Sequence, residues 1–106
     1  MLTRPDGRFL QVNEAFCRLT GYTAEELLAS DFQAITHPDD LPRSLAELGR
    51  MTSGHAPSAV FETRYARKDG LSVWVQVSAT CSRRPDGAAG QTVAVVRLGA
   101  AGLRMF

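Results

Sequence analysis

The sequence predicts one α+β domain: an antiparallel sheet with short helices packed on one of its faces. Three observations carry that prediction. From Leu71 to Cys81 every odd-numbered position is apolar, the two-residue alternation of a strand with one face buried. Between Glu14 and Met51 the apolar residues instead recur three and four apart, which is helical spacing. Turn signals at Pro5-Asp6-Gly7, Lys68-Asp69-Gly70 and Pro85-Asp86-Gly87 separate the segments. A chain of 106 residues fits a single core. Residues 1–98 are assigned to the domain. Residues 99–106 are read as a tail or the start of a linker, because Gly99-Ala100-Ala101-Gly102 looks flexible.

The elements follow in order. Arg8 to Asn13 suits a short strand. From Glu14 to Leu19, Ala15, Phe16 and Leu19 share a helical face, and Gly21 fits the C-terminal cap. Thr23-Ala24-Glu25-Glu26 matches a capping box opening a second helix to about Ala29. His37-Pro38-Asp39-Asp40 reads as a tight turn bringing an acidic cap to a third helix, with Pro42 in its first turn. In that helix Leu41, Leu45, Leu48 and Met51 form the expected apolar stripe, and Gly54 ends it. Val60 to Ala66, Leu71 to Cys81 and Gln91 to Leu98 then read as three strands joined by hairpins.

Charge and composition exclude several classes. Twelve basic against eleven acidic side chains leave a net charge of +1, with no field to attract nucleic acid or an anionic membrane. Arg64 to Lys68 and Arg83-Arg84 flank turns and read as solvated charges. No apolar run approaches the roughly 18 residues of a spanning helix. Cys17 and Cys81 belong to no CxxC pair, and a reducing, cytoplasmic compartment is the expectation. No cluster has metal-ligand spacing. Asp39-Asp40 are assigned to helix capping, not to a cation.

In this order the motifs resemble the PAS family with its appended PAC segment. Asp6-Gly7-Arg8-Phe9-Leu10-Gln11-Val12-Asn13-Glu14-Ala15-Phe16 looks like the family's strand-to-helix opening. Thr20-Gly21-Tyr22-Thr23-Ala24-Glu25-Glu26-Leu27 is similar to its Gly-Tyr-x-x-Glu-Glu-Leu signature. His37-Pro38-Asp39-Asp40, Arg67-Lys68-Asp69-Gly70 and Val73-Trp74-Val75 match the later motifs. The resemblance implies a five-stranded antiparallel sheet of order 2-1-5-4-3, with helices enclosing a small cavity. It also implies a sensory or interaction module of a signal-transduction protein, such as a two-component system. Two departures stand out. Only Met1 to Thr3 precede the first turn, so a truncated first strand is expected. Leu98-Gly99-Ala100 stands where the family carries Asp-Ile-Thr.

The flavin-binding branch carries a reactive Cys before the third helix, and Ser30 to Thr36 has none. A flavin's polar edges set against valines would cost ~1–3 kcal/mol for each unmet group. Haem needs a proximal ligand, and Leu41 to Ser53 contains no His; His55 in the following loop is the nearest reach. No cofactor is therefore expected, with haem and flavin as the alternatives. An enzyme is not expected either; the rival is a small α+β enzyme using His37 as acid or base. Ser72 and Ser78 fall on the solvent face of their strand and offer no positioned nucleophile.

Two candidate sites remain. The first is an apolar cavity lined by Phe16, Leu45, Leu48, Phe61, Thr63, Tyr65, Val73, Val75 and Val77, suited to a small apolar ligand. The second is the outer sheet face, where Val60, Trp74, Val93 and Val95 are expected side by side as a contact surface. The resemblance implies dimerisation there. The expected partners are a second copy of the chain and an effector domain of the same polypeptide, a kinase or a cyclic-dinucleotide enzyme.

Overall fold

The computed structural model describes the backbone of residues 1–105 and the side chains of residues 1–99. Its strands are β1 (Leu2–Thr3), β2 (Phe9–Gln11), β3 (Ser58–Ala66), β4 (Leu71–Arg83) and β5 (Ala89–Met105). Between β2 and β3 lie α1 (Glu14–Thr20), α2 (Ala24–Leu28), α3 (Phe32–Ile35) and α4 (Leu41–Thr52). The sheet is antiparallel in the order β2-β1-β5-β4-β3, the topology that the motifs implied. β1 is two residues long and pairs with both neighbours.

Local chemistry sets the helix ends. The Asn13 carboxamide accepts the Phe16 N–H at 2.9 Å and starts α1. Gly21 ends it at φ 79°, a left-handed conformation that glycine adopts without steric cost. The capping box of α2 is complete: Thr23 Oγ1 accepts from the Glu26 N–H, and Glu26 Oε1 accepts from the Thr23 N–H. Helix α3 was not expected. It is four residues long, too short for a period, and its signal is Asp31, whose carboxylate accepts the Ala34 N–H.

The valine ladder of β4 faces the helices. Val73, Val75, Val77, Ala79 and Cys81 are all buried, as are Thr63 and Tyr65 on β3. At one end of this face Phe9, Phe16 and Tyr65 pack ring to ring, with centroids 5.6 and 6.0 Å apart. On β5, Thr92 and Ala94 point inward, which settles a parity that the doubly apolar sequence left open. β5 also runs past Leu98 through the Gly-rich stretch to Met105, which pairs with Leu71. The β4–β5 register shifts between Val73 and Val75 on the way. Phe106 lies outside the described residues.

Several expectations on charge and polarity are corrected. Ser72 is buried, not solvated, at a central-strand position flanked by Ala66 and Arg104. Arg67 and Arg83 are not free turn charges; both serve helix C-termini, where carbonyls lack helical partners. Arg67 Nη1 donates to the Leu19 carbonyl at 2.7 Å, closing α1. Arg83 donates to the Met51 and Thr52 carbonyls, tying the end of α4 to β4.

Candidate functional site

Helix α4 roofs a cavity of about 40 Å³ on the sheet's inner face. Five residues expected there do line it: Leu48, Phe61, Thr63, Tyr65 and Val77. Four do not. Phe16, Val73 and Val75 are buried in the adjacent core, where the aromatic cluster fills the space. Leu45 is 42% exposed, because α4 is rotated from the expected stripe. Its buried positions are Ser44 and Met51, with Leu48 partly covered; Ser44 is polar, so the apolar pattern misplaced the face. Thr3, Ser44, Met51, Thr92 and Ala94 are wall residues that sequence reasoning missed.

The polar groups of the wall are hydroxyls. Ser44 Oγ and Thr63 Oγ1 lie 3.3 Å apart and share a hydrogen bond. Thr36 Oγ1 donates to the Phe32 carbonyl at 2.7 Å. Burial pushes the Tyr65 phenol well above its ordinary pKa. Thr92 Oγ1 is buried without a hydrogen-bond partner.

The turn before α4 is built differently from the expected cap. Asp40 holds the N-cap position but makes no side-chain cap bond. Its carboxylate instead accepts Arg64 Nε at 2.9 Å, Arg64 Nη2 at 3.0 Å and the Arg64 backbone N–H at 2.9 Å. Those bonds hold the Asp40 carboxyl below the usual carboxylate range, with burial opposing, and raise the guanidinium. The Arg64 carbonyl accepts the His37 N–H at 2.9 Å, so the turn covers the free edge of β3. His37 Nδ1 accepts the Asp39 N–H at 3.1 Å within the turn, and His37 does not line the cavity. His55 is exposed beside Ser53.

On the outer face the expected cluster divides. Val60, Ser78 and Val95 form one cross-strand row, and Ser58, Thr80 and Val93 the next. The three valines are 55–67% exposed. Trp74 is not beside them. The row Glu62-Gln76-Arg97 intervenes, and the Arg64 guanidinium covers the indole 4.9 Å from the ring centroid.

Comparison with known proteins places this geometry. A family profile described as PAS fold matches residues 9–96. The chain belongs to the PAS family. This PAS domain is 35% identical over 86 residues to the probable diguanylate cyclase DgcE of Escherichia coli K12, covering 81% of the chain and 8% of that protein. It is 40% identical over 72 residues to the C4-dicarboxylate transport sensor protein DctS of Rhodobacter capsulatus, covering 67% of the chain and 11% of that protein. Among solved structures, a domain of a sensory box sensor histidine kinase/response regulator from Geobacter sulfurreducens superposes with a TM-score of 0.72. That match is 28% identical and covers 91% of the PAS chain and 78% of the other. The chain thus spans about a tenth of the curated relatives it matches, and the alignments cover only their PAS regions. Among the described residues no helix is long and apolar enough to cross a membrane.

Proposed function

We propose that this PAS domain is a non-catalytic, cytoplasmic input module that takes a small molecule under α4 and relays its presence through the sheet. The observation that carries the reading is the homology itself: related PAS regions sit within a sensor protein and a cyclase many times their length. An effector domain of the same polypeptide, a kinase or a cyclic-dinucleotide enzyme, is the partner in this reading. A ligand acts only by its different affinity for two states of the domain. The relay runs from α4 through Asp40 to Arg64, whose guanidinium reaches the outer face at Trp74. On the same face, beyond the Glu62-Gln76-Arg97 row, Val60, Val93 and Val95 form the surface for a second copy, an apolar patch ringed by small hydroxyl residues.

Haem and flavin are not part of this reading. About 40 Å³ is far below the roughly 300–1,000 Å³ of pockets that hold drug-sized ligands. An absorption spectrum of the purified protein tests that point; a visible band would overturn it. Native mass spectrometry tests the whole reading by reporting mass and assembly together. Two copies carrying a small-molecule adduct are expected. A bare monomer would count against both the ligand and the dimer.

A further inference from the structure

The chemistry of the cavity wall narrows what it accepts. Six of its residues carry hydroxyls: Thr3, Thr36, Ser44, Thr63, Tyr65 and Thr92. Among the described residues no Asp, Glu, Lys, Arg or His lines it, and the Met1 amino group donates to the Ala94 carbonyl at 2.8 Å. Thr36 is satisfied by its own helix, and Ser44 and Thr63 satisfy each other. Thr92 is different. It is 5% exposed, yet its Oγ1 has no partner. Buried hydroxyls in folded proteins are nearly always paired, so one that is not calls for an explanation. Valine would fill the same β5 position between Thr3 and Cys81 with the same shape and a better strand propensity. The hydroxyl therefore adds nothing to packing. Tyr65, also buried, places a second hydroxyl-bearing side chain in the same wall.

We propose that Thr92, together with Tyr65, anchors a small neutral oxygen-bearing ligand, of the size and kind of a ketone, an amide or a short alcohol. The inference rests on the sensory reading above and names the ligand class of that site. A space of about 40 Å³ corresponds to roughly three water-sized spheres, enough for about three or four heavy atoms. A carbonyl or hydroxyl supplies the partner that Thr92 lacks. A carboxylate is disfavoured, because no basic side chain among the described wall residues compensates a buried charge and the Met1 amino group is already held by Ala94.

Acetone, acetamide and acetate share one shape and differ in charge and polarity, and xenon probes the space alone. Each is titrated into the ¹⁵N-labelled chain while amide shifts are followed at Thr63, Tyr65, Val77 and Thr92. Acetone and acetamide are expected to give saturable shifts, acetate none, and xenon shifts at the same residues. Thr92→Val should weaken acetone roughly three- to tenfold and leave xenon unchanged, the signature of one lost hydrogen bond. Tyr65→Phe provides the second variant and should weaken acetone in the same direction. The proposal is overturned if Thr92→Val binds acetone as tightly as the parent, or if acetate binds as well as acetone. A cavity that ignores xenon and every other probe overturns the sensory reading along with it.

Discussion

Replacing Asp40 with Asn tests whether the ion pair at the head of α4 holds the cavity roof to the sheet. The carboxylate accepts three hydrogen bonds from Arg64, two from the guanidinium and one from the backbone. Asn keeps the shape but offers an N–H where one oxygen faced a donor. The side chains are 17% and 23% exposed, so the pair lies between two regimes. Fully exposed pairs are worth ~0.2–1 kcal/mol, and breaking a buried one costs ~3–5 kcal/mol. A loss of about 2 kcal/mol follows, near 10 °C in Tm for a domain of this size. The pH dependence has a definite sign. Because the folded carboxyl titrates below its unfolded value, its contribution is complete above about pH 4 and disappears as pH falls through the folded pKa. Urea denaturation at pH 7 and at stepwise lower pH reads both quantities. A loss under ~0.5 kcal/mol at pH 7, or a parent-to-variant gap that stays constant into acid, would refute the reasoning.

Three further outcomes are expected. Met51→Ala should cost ~2–5 kcal/mol as a buried truncation, whereas Leu45→Ala should cost less than ~1 kcal/mol; equal losses would mean that α4 sits in the other phase. Thr92→Val should stabilise the ligand-free chain by ~1 kcal/mol, seen as a higher thermal midpoint, because an unsatisfied buried hydroxyl is removed. Val95→Glu should leave the melting temperature within a few degrees but dissociate the proposed dimer in analytical ultracentrifugation; an unchanged sedimentation profile would remove this face from the interface.

The strands were legible because burial on one face writes itself as alternation, and β4 alternates from Leu71 to Cys81. The capping box at Thr23 was legible because it acts within three residues of itself, whereas Asn13, read as the end of a strand, proved to cap α1. What the sequence hid were interactions chosen by tertiary placement. Asp40 sits where a cap belongs, and only the approach of β3 gives its carboxylate a better donor. Ser44 faces the core because Thr63 offers it a partner 19 positions away, so a polar residue took the place that the pattern gave to Leu45. Thr92 and Ala94 were invisible as wall residues because Thr92 to Leu98 is apolar on both parities. The outer patch lost Trp74 to a guanidinium whose direction no periodicity encodes.

The two fastenings of α4 are chemically unlike, and that asymmetry governs how the lid moves. At its tail Arg83 grips carbonyl oxygens, a bond indifferent to acidity across the range in which proteins stay folded. At its head the grip needs an ionised carboxylate and weakens with salt and acid. Acid or high salt should therefore loosen the Asp40 end of the helix before the Arg83 end, which hydrogen exchange along α4 would read.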